Sequence, residues 1–229
     1  MNRIARPALA VLLLVLPGAA PAEEPHGGHG HAHGDDDATI HHRFEDAERW
    51  AERFEAADRD EWQLPGEVIS RVVDRPDLVV ADIGSATGYF AVRFARAVPE
   101  GLVIGADVEP DMVRYLNDRA RAEGMTNLVS VLADFDDPHL PQPADLVFIC
   151  NTVHHIDDRV DYFRRLQDQT AEGARLVIVD YKPESTMGPP HKLERAQVID
   201  ELGRAGWKLL ADHDPLPEQW FLVLGRSGP

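Results

Sequence analysis

The sequence predicts an α/β protein built on a doubly wound, mostly parallel seven-stranded sheet with a reversed last strand. Three observations carry this expectation. From Leu78 onward, short apolar runs alternate with stretches of helical periodicity, the pattern of a parallel sheet covered on both faces. The first three runs each close on an aspartate: Asp82, Asp107 and Asp134. The last two runs are joined only by "PLPE", too short for a crossover helix, so that pair is antiparallel.

In chain order, Met1–Ala22 comes first. Arg3 and Arg6 precede an apolar stretch from Ala8 to Leu16, and "APA" stands before Glu23. That three-part layout reads as a signal peptide, so the protein is expected to be exported, to a periplasm, with no membrane span left after cleavage. Residues 23–42, "EEPHGGHGHAHGDDDATIHH", have almost nothing to bury and read as a disordered linker. His26, His29, His31 and His33 could collect zinc, copper or nickel there, or be a solvated tail with no specific role. Residues 43–74 read as two helices, the second starting near Pro65. In the first, Phe44, Ala47, Trp50, Ala51 and Phe54 share one face. This segment either packs on the main domain or caps its cleft.

The domain at 75–229 then alternates. "LVVADIG" is a strand and "YFAVRFARAV" a helix. "GLVIGADV" is a strand, and "PDMVRYLNDRARAEG" a helix with Pro110 at its start and Gly124 past its end. Strands "NLVSVLAD" and "ADLVFICNT" follow, then the helix "RVDYFRRLQDQT", the strand "ARLVIVDY" and the helix "HKLERAQVIDELGRAG". "WKLLADHD" and "QWFLVLGR" close the sheet.

Charge narrows the function classes. Forty acidic against 23 basic residues give a net charge of -17, which repels phosphate backbones, so no nucleic-acid partner is expected. Cys150 is the single cysteine, so disulfides within the chain and multi-thiolate zinc sites are excluded.

Ligands of doubly wound sheets bind beyond the carboxyl ends of the strands. There the sequence places Asp82, Asp107, Asp134 and Asn151, with the turn Gly84-Ser85-Ala86-Thr87-Gly88. The turn lacks the glycine spacing that admits a pyrophosphate, and the acids oppose one. S-adenosylmethionine has no phosphate and carries a sulfonium and an ammonium. Asp107 suits its ribose hydroxyls and Asp134 its adenine amine, and Gly84 and Gly88 permit close backbone approach. Asp82 or Asp107 could instead cap a helix, and Asp136 or Asp137 could replace Asp134.

"VVADIGSATGYF", "VIGADVEPDM", "VLADFDDPHLP" and "DLVFICNTVHHIDD" resemble successive motifs of the class I S-adenosylmethionine-dependent methyltransferases. The likeness covers about residues 65–226. The lead-in "HHRFEDAERWAERF" and the ending "LPEQWFLVL" resemble a bacterial subgroup, whose members here would carry the signal peptide. The resemblance implies a Rossmann-like methyltransferase sheet with S-adenosyl-L-methionine as cofactor. It implies that Asp82, Gly84, Ser85, Ala86, Thr87 and Gly88 surround the methionine moiety. Asp107 would hold the ribose, Val108 the adenine, Asp134 and Phe135 the ring and its amine, and Asn151 would lie next to the methyl group.

The expected reaction is in-line methyl transfer to a small-molecule or lipid-like acceptor. His154 and His155 are the candidate catalytic bases, or a helix cap; His191 and His213 are further candidates, since the loops after strands five and six point at the crevice. Export separates such an enzyme from a cytoplasmic cofactor. The alternative is an exported, non-catalytic ligand- or metal-binding protein on the same fold.

Overall fold

The computed structural model describes Phe44 and residues 46–227. The signal-peptide reading of 1–22, the linker at 23–42 and the metal reading of His26, His29, His31 and His33 lie outside the described residues. Among those residues, no helix is long and apolar enough to cross a membrane, and no group of His, Cys, Asp and Glu is placed to hold a metal ion.

The sheet contains β1 (Val79–Ile83), β2 (Leu102–Asp107), β3 (Leu128–Leu132), β4 (Ala144–Cys150), β5 (Thr170–Tyr181), β6 (Trp207–His213) and β7 (Gln219–Arg226). Their order is β3-β2-β1-β4-β5-β7-β6. The first five are parallel, and β7 runs antiparallel to both β5 and β6. The chain leaves β1 for β2 and β3, then crosses back to β4. The reversal of strand order therefore falls between β1 and β4, the place where such sheets bind ligands.

The apolar strands bury both faces. One face packs α3 (Pro65–Val72), α4 (Ala91–Ala97) and α5 (Pro110–Ala122) through Val72, Phe94 and Leu116 against Val80, Val103 and Phe148. The other packs α6 (Arg159–Leu166) and α7 (Arg195–Arg204) through Phe163, Val198 and Leu202 against Val147, Leu176 and Leu222. Alternation along each strand feeds both clusters, which is why the runs read as continuously apolar.

Before the sheet, three helices form where two were expected: α1 (Ala47–Phe54), α2 (Arg59–Gln63) and α3. The extra break has a tertiary cause. Glu55, just past α1, accepts from Thr87 Oγ1 at 3.0 Å and from Arg119 at 2.7 Å. Those partners lie on the main domain and pull the chain out of helical register. Leu64, at φ 44, then turns the chain so that Pro65 can open α3.

Candidate active site

The turn after β1 is fixed by β2. Gly84 N and Ser85 N donate to Ala106 O at 2.8 and 3.3 Å. Asp107 Oδ2 accepts from Ala86 N at 2.8 Å, and its Oδ1 accepts from Glu109 N at 3.0 Å. Ala86 is thereby held at φ 46, a left-handed conformation that costs an alanine about 1–2 kcal/mol. Gly84, at φ 73, leaves no room for a side chain: a Cβ would sit 2.2 Å from Thr152 Oγ1. Gly88, at φ 93, faces Leu116, where a Cβ would come within 2.3 Å.

Two carboxylates are sunk into this floor. Burial pushes Asp82 up to about 7; the Arg59 charge pulls it back, and Asp107 pushes it further. Burial raises Asp107 to about 6, against the backbone N–H groups of Glu109 and Ala86, which favour its anion. Neither acid has a basic side chain hydrogen-bonded to it among the described residues. A cation arriving beside them supplies what the protein withholds.

The floor opens into a cleft of about 820 Å³, within the range of small-molecule sites. Asp82, Gly84, Ser85, Ala86, Thr87, Asp107, Val108, Asp134, Phe135 and Asn151 all line it. Gly88 does not; it packs behind the turn. Asp134 and Phe135 are exposed at the mouth, with Asp134 Oδ2 bonded to His139 Nε2 at 2.8 Å. Of the neighbouring acids, Asp136 pairs with Arg165, and Asp137 accepts from Gln169 at 2.9 Å outside the cleft.

His154 and His155 both reach the cleft, from a single 3-10 turn after β4. His154 is buried, and its Nδ1 bonds both oxygens of buried Asp180, at 3.0 and 2.8 Å. The His155 ring lies tilted, 4.3 Å from that of His154, and edge-on to that of Phe44 at 5.9 Å. His191 and His213 do not line the cleft, which corrects the expectation drawn from strand order. β7 inserts between β5 and β6, so β6 is an edge strand and His213 packs on Phe221 instead, rings 5.1 Å apart. The loop after β5 does arrive, through Thr186 to Pro190, but His191 is exposed beyond it.

The roof comes from Phe44 and the N-terminal helices that follow it. Phe44, Trp50 and Phe54 form one aromatic cluster, with centroids 5.0 to 5.8 Å apart, and Trp62 sits 6.2 Å from Tyr181. All five line the cleft. Four residues of the site were missed by the sequence reading: Arg59, Gln63, Asp180 and Gln219. Arg59 looks like one more surface charge on a helix, yet its guanidinium lies 3.7 Å over the Tyr89 ring, inside the cleft wall. Asp180 did carry a signal, because it too stands near the end of a strand.

The residues present fit S-adenosylmethionine. The floor has buried acids for its positive groups, a glycine pressed against Thr152 for close backbone approach, and the volume for an adenosine compound with an acceptor beside it. Comparison with known proteins agrees. A family described as "Methyltransferase domain" matches residues 74–207. A 27-O-demethylrifamycin SV methyltransferase of Amycolatopsis mediterranei is 31% identical over 146 residues, 62% of this chain and 51% of that protein. A trans-aconitate 2-methyltransferase of Afipia carboxidovorans is 27% identical over 116 residues, 51% of this chain and 43% of its own. The chain thus spans about half the length of the curated relatives it matches. A crystal structure of a SAM-dependent methyltransferase from Aquifex aeolicus shares the fold, with a TM-score of 0.72 and 21% identity, over 79% of this chain and 98% of that one. With the family match covering more than half of its residues, the chain belongs to the methyltransferase-domain family, whose methyl donor is S-adenosylmethionine.

Proposed function

We propose that the protein transfers a methyl group from S-adenosylmethionine to the oxygen of a small, largely apolar acceptor by in-line displacement. The observation that carries this reading is the buried His154–Asp180 pair, opening on the same cleft as the acidic floor and the aromatic roof. S-adenosylmethionine, when bound, supplies an electrophilic methyl group on a positively charged sulfur.

The chain's own residues do the rest. Asp107 would hold the ribose hydroxyls with the lone pairs left free by Ala86 and Glu109, and Asp82 would face the ammonium. Val108, Asp134 and Phe135 would flank the adenine. Asp180 can only accept from His154 Nδ1, so it fixes the tautomer in which Nε2 carries the lone pair. That nitrogen takes the proton from an acceptor hydroxyl, and Asp180 stabilises the imidazolium formed. Phe44, Trp50, Phe54 and Trp62 hold the apolar body of the acceptor and keep water from the cleft. His155 meets the acceptor through ring contact in this arrangement rather than as the base.

An oxygen acceptor accords with one curated relative, whose name describes methylation of a 27-O-demethylrifamycin. The test is incubation of purified protein with S-adenosylmethionine and a panel of hydroxylated aromatic and aliphatic compounds, with S-adenosylhomocysteine and methylated product read by mass spectrometry. Product on hydroxyl compounds, lost in His154→Ala, supports the reading. Release of S-adenosylhomocysteine with none of the panel, in a protein that binds it, sinks it.

Export remains part of the proposal. It rests on the arginines, apolar stretch and "APA" of residues 1–22. Fractionation with N-terminal sequencing tests it: a periplasmic protein beginning at Glu23 is expected, and an intact Met1 in the cytoplasm overturns it.

A further inference from the structure

A buried chain of amides runs beneath the cleft, and neither cofactor binding nor the base explains it. Arg59 Nε donates to Gln63 Oε1 at 3.3 Å. Gln63 Nε2 donates to Gln219 Oε1, and to Cys150 Sγ at 3.5 Å. Gln219 Nε2 donates to Asn151 Oδ1. Both glutamines are fully buried, one on a helix before the sheet and the other opening its last strand.

The direction of this chain is dictated from one end. A guanidinium has donors and no acceptor, so the oxygen of Gln63 must face Arg59. Its nitrogen then faces Gln219, whose oxygen must turn to meet it. The nitrogen of Gln219 is left pointing at Asn151, which can answer only with Oδ1. Reversing any one amide sets two like ends against each other where water cannot intervene. Arg59 is itself anchored: its Nη1 donates to Phe54 O at 2.6 Å, and its plane lies on Tyr89. At the far end Asn151 stands at φ 57, a left-handed conformation that asparagine tolerates, and lines the cleft.

We infer that Arg59, Gln63 and Gln219 are positioning residues that lock the Asn151 amide with its two Nδ2 hydrogens facing the cleft. The inference deepens the methyl-transfer reading and rests on it for its use. A pair of N–H donors beside the reacting position stabilises the anionic oxygen left once His154 has taken the proton. A neutral amine has a single lone pair, which it must spend on the methyl carbon, so none is left for these donors, whereas an anionic oxygen has lone pairs for both. The relay thereby selects hydroxyl acceptors over amines, and it ties that selection to the docking of α2.

The test needs no acceptor. Side-chain amide signals of the full ¹³C,¹⁵N-labelled protein are assigned through their own side-chain carbons, with Asn151→Asp as a check on the Asn151 signal, and their hydrogen exchange with water is measured. The Asn151 NH₂ group is expected to exchange at least about tenfold faster than that of Gln219, because one faces the cleft and the other is sealed. In Gln219→Glu the carboxylate only accepts, so Asn151 must turn its donors inward, and its exchange is expected to slow by about tenfold or more. An Asn151 NH₂ group as protected as that of Gln219 in the parent protein overturns the inference, as does unchanged Asn151 exchange in folded Gln219→Glu. The parent rates decide alone if that variant does not fold. Calorimetry with S-adenosylhomocysteine on the same samples keeps the two readings apart. Absent binding removes the methyl-transfer reading, while the exchange rates still judge the relay.

Discussion

The floor and the roof of the cleft are built by opposite means. The floor is backbone geometry at strand ends: Gly84 at φ 73, Ala86 at φ 46 and Asn151 at φ 57, with acids placed by the last residues of β1 and β2. The roof is side chains from Phe44 and the helices after it, which precede the sheet and reach it over long separations. Phe44 N, for example, donates to Glu109 Oε1 at 3.2 Å across 65 positions. A floor of this kind is a property of short segments, and in the proposed reaction it would hold the methyl donor. A roof assembled from a few exchangeable side chains suits the part that differs between enzymes.

The largest effect expected from breaking the floor is at Asp107. Asp107→Ala removes the charged acceptor proposed for two ribose hydroxyls, each such bond being worth about 1.5–3 kcal/mol, so S-adenosylhomocysteine affinity is expected to fall by about 10²–10⁴. It also frees Ala86 N and Glu109 N, so melting must be followed beside calorimetry. Parent-like affinity in the variant would show that the ribose lies elsewhere.

Next comes Gly84→Ala. The methyl group would meet Thr152 Oγ1 at 2.2 Å in a conformation L-residues avoid, so a loss of about 2–4 kcal/mol in denaturant unfolding is expected. Adding Thr152→Ala removes Oγ1 and Cγ2 and should restore part of it. Equal stability of single and double variants would mean that the clash is not what Gly84 avoids.

The contrast is sharpened at Trp50. Trp50→Ala removes part of the aromatic cluster while leaving the strand ends untouched. Turnover on a hydroxyl acceptor is expected to fall about thirtyfold, the cost of losing roughly 2 kcal/mol of apolar contact. Affinity for S-adenosylhomocysteine should stay within about threefold of the parent. A matched loss of both would erase the division of labour between roof and floor.

That division also explains what could be read from the sequence. The strands, their direction and the acids at their ends were legible because each is local: an apolar run, a short linker, a terminal aspartate. The neighbours of β6 were not, and His213 was placed at the cleft for want of knowing that β7 intervenes. Asp180 stands one residue from the end of β5 as Asp82 does in β1, yet its partner His154 lies 26 positions away. Arg59 and Gln63 had no periodic or motif signature at all, since Gln63 is tied to Gln219, 156 positions beyond it, and Arg59 reaches that pair through Gln63.

The smallest effect concerns proton uptake by the floor, and its sign separates a site built for a cation from one that is merely buried. Asp82 is raised by burial to about 7, so at pH 7 the ligand-free protein carries it about half protonated. In the unfolded chain the group is ionised above about pH 4. Between about 4 and 7 the folded state therefore holds the extra proton, and stability from this group is present below that window and lost as pH rises through 7. A bound ammonium favours the carboxylate and draws the proton off. Binding of S-adenosylhomocysteine at pH 7 should thus release about half a proton, seen as a dependence of calorimetric heat on buffer ionisation enthalpy. Affinity should rise about tenfold from pH 6 to pH 8, with a smaller share from Asp107 near its lower value of about 6. Asp82→Asn should flatten most of that slope. Uptake of a proton on binding, or a slope unchanged in Asp82→Asn, would mean that the buried acid meets a neutral part of the ligand, and that the acidic floor recognises the ribose alone.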